Sequence, residues 1–161
     1  MSITAQQQLV IEQQQRYYDA VDRTGEHLDG KASALLQAGS LVVTIAGLAT
    51  LLGPQSARTP WGVGALIAVA LLFMAMIACI VMAWRPADHL LPGSTDWDTM
   101  FDRYISCPVD DAYNLALANL LDATAYNLAR NRQKAELVTL AGWLLIAQVG
   151  VLLLAGLMLP F

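Results

Sequence analysis

The run from Leu137 to Pro160, LVTLAGWLLIAQVGVLLLAGLMLP, contains no ionisable residue. A helix rising ~1.5 Å per residue over such a run covers the ~30 Å hydrocarbon core of a bilayer. It is therefore read as a membrane span, over 137–159. The preceding stretch, 109–136, has no Gly and no Pro beyond its start, so one helix is expected to pass from the aqueous phase into lipid. Pro108, Asp110 and Asp111 suit its beginning, because Pro fits a first turn and carboxylates complement the positive end of the helix dipole. Leu117, Leu120, Leu121, Ala125 and Leu128 are expected to form its buried stripe.

Two further spans are expected. The first, 33–52, stops at Gly53-Pro54; the second, 61–84, has Trp61 and Trp84 at its two ends, where indoles favour the headgroup level. PQSARTP between them is a hairpin. The composition agrees: 57% hydrophobic, 14% charged and a mean hydropathy of +0.49 place the 161 residues in the membrane class. Three spans are expected to leave no room for a separate catalytic domain. The N-terminal MSITAQQQLVIEQQQ lacks the early basic residue and apolar core of a signal peptide, so the first span is read as its own insertion signal.

Residues 4–30 read as an amphipathic helix with a thin apolar seam of Val10, Tyr17, Val21 and Leu28, and Gly25 and Gly30 allow a bend near the membrane surface. The connection 85–108 carries a Ser94-Thr95-Asp96 cap signal before Trp97, Met100, Phe101 and Tyr104, the pattern of a short helix. Of the nine Lys and Arg residues, only Arg58 falls in the hairpin. By the positive-inside rule the N-terminus and the long connection are cytoplasmic and the C-terminus is periplasmic. The fold expected is thus an all-α membrane protein, three transmembrane helices with cytoplasmic helical extensions, assembled as an oligomer. Its first and third spans run parallel.

Candidate sites follow from what apolar helices cannot easily expose. Ser33, Gln37, Ser40, Thr44 and Gly47 recur at steps of four and three along the first span, so they share one face. With Gln148 deep in the third span, they are read as a packing face between helices or subunits, or as the lining of a pore. Asp29, Lys31, Arg130, Lys134 and Glu136 gather at the cytoplasmic border, either as a solvated ion-pair collar or as a latch between helices. Arg16, Arg23, Arg130, Arg132 and Lys134 are the residues that could hold an anionic ligand, or serve as topology determinants beside headgroups. Asn114, Asn119, Asn127 and Asn131 are read as largely solvated, with one or two setting the register of an oligomeric stem.

No catalytic residue, metal site or cofactor is expected: His27 and His89 have no partners at ligand spacing, Cys79 and Cys107 lie in different environments, and no phosphate loop or nucleophile elbow occurs. The spans carry no Asp, Glu, Lys, Arg or His for an ion-coupled relay. Thirteen acidic residues outweigh the bases, which argues against nucleic acid as a partner.

Asp29-Gly30-Lys31-Ala32, followed by Leu35-Leu36 and Gly39 at the entry to the first span, resembles the D-x-K-A-x-x-L-L-x-x-G pattern that opens the Pycsar effector transmembrane domain and its SLATT-like relatives in bacterial anti-phage systems. A polar helix with Leu120, Asn127 and Lys134 running into a final span is similar to the second half of that family. The resemblance implies an inner-membrane effector. Such a protein responds to a nucleotide second messenger, directly or through a soluble sensor protein, then opens a pore or disrupts the bilayer. The alternative is a non-conducting membrane scaffold that anchors a soluble partner on its helical stem.

Overall fold

The computed structural model describes residues 4–52, 60–85, 91–92, 98 and 101–158, with the side chains of residues 51, 52, 103 and 158 excepted. The described residues form three long helices and one π-helical turn, with no strand. These are α1, Ala5–Leu52; α2, Pro60–Trp84; the π-helical turn Phe101–Ile105; and α3, Val109–Met158. All three long helices are long and apolar enough to cross a membrane. The protein is an all-α membrane protein. The expected hairpin and the Ser94-Thr95-Asp96 cap lie outside the described residues.

Local chemistry accounts for the helix starts. Thr4 and Gln7 form a reciprocal capping box: the Gln7 backbone N–H donates to Thr4 Oγ1 at 3.3 Å, and the Thr4 N–H donates to Gln7 Oε1 at 2.9 Å. Asp110 and Asp111 occupy the first turn of α3, where the free N–H groups and the dipole favour negative charge.

The chain divides into two compact units: residues 1–27 with 86–132, and residues 28–85 with 133–161. In the first, α1 and α3 run in the same direction, as their cross-links show. Gln7 Nε2 donates to Asp110 Oδ1 at 3.2 Å, Gln14 Nε2 to Thr124 Oγ1 at 3.4 Å, and Asn131 Nδ2 to the Val21 carbonyl at 2.6 Å. Within this unit Gln7, Ile11, Gln14, Tyr18, Val21 and Gly25 of α1 are covered at alternating steps of four and three, with Asp22 partly covered beside them. That is the spacing of a parallel coiled coil. It differs from the expected seam, since Val10 and Tyr17 are exposed. Hydrogen bonds from Gln7 and Gln14 allow polar residues to sit in the seam, and hydropathy does not register them.

Two further expectations change here. The buried stripe of α3 is Leu120, Ala123, Thr124 and Asn127, whereas Leu121, Ala125 and Leu128 are exposed. Small side chains at 123 and 124 let the helices approach closely, and leucines at those positions would hold them apart. Gly25 is not a bend, because α1 continues through it unbroken. A Cβ there would come within 3.0 Å of Asn131 Oδ1, so glycine makes room for the amide that bonds Val21.

The second unit has a core of Ala32, Met76, Ile80, Ala83, Val138 and Ala141, flanked by Leu35, Leu36, Phe73 and Leu144 among others. Only 17% of the most apolar window of each long helix is buried within the subunit. Lipid or other copies must cover the rest. Trp61 and Trp84, at the two ends of α2, are exposed, as interfacial tryptophans should be.

Candidate functional site

The charged border of the second unit carries an ion pair between a residue of α1 and a residue of α3. Lys134 Nζ lies 2.8 Å from Asp29 Oδ1 and 2.9 Å from Oδ2, so the ammonium bridges both carboxylate oxygens. Lys134 is mostly covered, which reduces solvent screening of the pair. Lys31 and Glu136 are exposed, and Arg130 belongs to the other unit. Of the five residues expected at this border, the structure thus pairs Asp29 with Lys134. Those two stand at the ends of the stretches where α1 and α3 enter their apolar runs.

Gln37, Ser40 and Thr44 are exposed on the outer side of α1, while Ser33 and Gly47 are partly covered. Their hydroxyls are satisfied within the helix: Ser40 Oγ donates to the Gln37 carbonyl and Thr44 Oγ1 to the Ser40 carbonyl, each at 2.8 Å. Nothing lies within 4 Å of a Cβ built at Gly47. Gln37, Ser40 and Thr44 therefore point away from the subunit's own core.

Gln148 does the opposite. It is fully buried, its Nε2 lies 4.0 Å from the Met76 sulfur, and its Oε1 has no hydrogen-bond partner. Met76 in turn packs on Gly39, where a Cβ would fall 3.1 Å from the Met76 sulfur and 3.2 Å from Phe73 Cδ2. Glycine at 39 thus admits the thioether that receives the Gln148 amide. Sequence reasoning singled out Gly39 and Gln148 separately but not the methionine between them, since a methionine within an apolar run gives no signal of its own.

In the first unit Asn127 is 1% exposed and hydrogen-bonds Tyr18. Burial raises the Tyr18 phenol above its ordinary pKa, the Asp22 and Asp19 carboxylates add to the rise, and the Asn127 bond opposes it. Asn119 Nδ2 donates to the Tyr104 hydroxyl oxygen at 2.5 Å. The expectation of largely solvated asparagines is corrected for Asn119, Asn127 and Asn131, which bond within the subunit; Asn114 is exposed. Among the expected anion-binding residues, Arg16, Arg23 and Arg132 are exposed, Arg130 is half-buried, and Lys134 is engaged with Asp29.

A family model described as the Pycsar effector protein domain, PycTM, matches residues 14–161. No curated protein and no solved structure matches the chain significantly.

Proposed function

Because the chain belongs to the Pycsar effector protein domain family, which makes it an anti-phage membrane effector, we propose that it acts at the bacterial inner membrane by assembling into oligomers that open a pore or disrupt the bilayer. The observation that carries this reading is the outward placement of Gln37, Ser40 and Thr44 on an apolar helix. An amide facing acyl chains has no partner in lipid, and interhelical hydrogen bonds of ~0.6–2 kcal/mol favour its burial against another copy. Around a central axis the same face supplies a polar lining.

The termini are arranged with the N-terminus cytoplasmic and the C-terminus periplasmic, following the basic residues. The first unit then lies where a nucleotide second messenger, or a soluble sensor carrying one, can reach Arg16, Arg23, Arg130 and Arg132. Its binding breaks the Asp29–Lys134 latch and releases the assembled state. The protein catalyses no reaction in this scheme.

The test is release of an entrapped dye from liposomes containing the purified full-length protein, with and without cyclic nucleotides. Leakage that rises with protein density and with a nucleotide supports the reading. Liposomes that stay sealed at every density and under every nucleotide overturn it. That result would favour a second reading, a scaffold for a soluble partner, which draws on Leu9, Tyr17, Leu121, Tyr126 and Leu128 exposed in the first unit.

A further inference from the structure

The first unit contains a cavity of about 330 Å³, within the size range of small-ligand sites. Gln15, Tyr18, Asp19, Tyr104, Ala116 and Asn119 are among the residues of its wall. No Lys, Arg or His lines it among the described residues. Among the described residues it combines apolar and aromatic surface with polar groups and one formal charge, that of Asp19.

Two features prepare it. Tyr104 is held by the amide of Asn119 and Tyr18 by that of Asn127, so both rings are positioned before any ligand arrives. Asp19 is exposed and makes no ion pair among the described residues, although Arg16 and Arg23 lie within about a turn of it on α1. Its charge is free to pair with a ligand. The upward displacement of the Tyr18 pKa, to which Asp22 and Asp19 contribute after burial, reports the same negative field.

We propose that this cavity binds a small protonated amine with an aromatic or alicyclic body, the ammonium pairing with Asp19 and the body lying against Tyr18 and Tyr104. A cation gains from both the carboxylate and the ring faces. A phosphorylated or carboxylated ligand meets the Asp19 charge with no cation among the described lining residues to offset it. The site uses side chains other than the arginines assigned to an anionic messenger, and it stands whether or not the protein conducts.

The test is isothermal titration of the full chain in nanodiscs, corrected with empty nanodiscs, using three probes that share one ring and differ in charge: phenethylamine, 2-phenylethanol and 3-phenylpropionate. Phenethylamine should bind with a Kd on the order of 1 mM, in line with a fragment of this size. The alcohol should bind more weakly and the carboxylate not at all. Asp19→Asn should weaken the amine about tenfold, the scale of one lost charge-assisted contact, and Ala116→Trp, which fills the cavity, should abolish binding with helicity unchanged. Carboxylate binding as tight as that of the amine, or an amine affinity unaffected by both substitutions, would overturn the assignment. The comparison of the three probes needs no variant and decides the charge preference even where a substitution prevents folding.

Discussion

Met76 of α2 occupies the space that a side chain at Gly39 of α1 would need: its sulfur stands 3.1 Å from the position of a Cβ there, and its terminal methyl is nearer still. The methyl is the end of a flexible chain, so Gly39→Ala should be absorbed with a loss of about 1 kcal/mol, whereas Gly39→Leu should overpack the site and cost ~2–3 kcal/mol. Met76→Ala in the Gly39→Leu background should recover most of the loss. Thermal unfolding in detergent of the wild type, Gly39→Leu, Met76→Ala and the double variant gives the coupling energy. Additive effects would mean that the two residues do not share that space.

The bridge between Lys134 and Asp29 makes a second expectation. Asp29→Asn and Lys134→Met should each lower stability by about 1 kcal/mol, the upper end for a partly exposed pair. The reversed pair, Asp29→Lys with Lys134→Asp, should restore much of it. If the pair also latches the resting state, either single substitution will make expression toxic without the inducing signal and the reversed pair will not. Single variants as silent as the wild type in the toxicity assay would reduce the bridge to a structural contact.

The Tyr18 phenol gives a pH dependence whose sign is fixed by its surroundings. Burial, Asp22 and Asp19 raise its pKa above the ordinary value, so the fold favours the neutral form. The corresponding stability is fully present below the unfolded phenol pKa of about 10. It is lost as the pH rises through the higher folded value. Phenolate absorbance of the wild type minus that of Tyr18→Phe should show one group deprotonating late, and Asn127→Leu should move it later, because the Asn127 bond lowers the pKa. Deprotonation at or below 10 would mean that the surroundings of Tyr18 do not disfavour its charged form.

The spans and the unbroken helix from Val109 were legible in the sequence because a charge-free run long enough to cross lipid has few alternatives. Which side of each helix is covered was not. Leu41 and Ala46 are both apolar, yet Leu41 is 60% exposed and Ala46 only 5%. Hydropathy locates the lipid, while the covered face is decided by which side chains are small enough for a close approach. A different cause displaced the expected seam of α1 toward Gln7 and Gln14 and hid Asn127 behind the look of a solvated residue: hydrogen bonds across the helices satisfy these amides, and hydropathy does not register them. The charged border of Asp29, Lys31, Arg130, Lys134 and Glu136 was recognisable from opposite charges at equivalent borders of parallel helices, but that Asp29 pairs with Lys134 was not. The cavity was not, since its wall comes from segments far apart in the chain.

The outward face of α1 supports the last expectation. Ser40 and Thr44 return their hydroxyl hydrogens to their own helix, so Ser40→Leu with Thr44→Leu removes no bond that ties α1 to α2 or α3. The folded subunit should be retained, with a stability change within about 0.5 kcal/mol. What the double substitution removes is a polar surface: if that face lines an opening, the leucines close it to water and ions, and toxicity and dye release should fall by about tenfold or more, a barrier increase of about 1.4 kcal/mol. Cross-linking of the variant in membranes should still yield oligomers. Loss of oligomers together with toxicity would instead identify the face as the contact between copies. Undiminished toxicity would remove Ser40 and Thr44 from both roles.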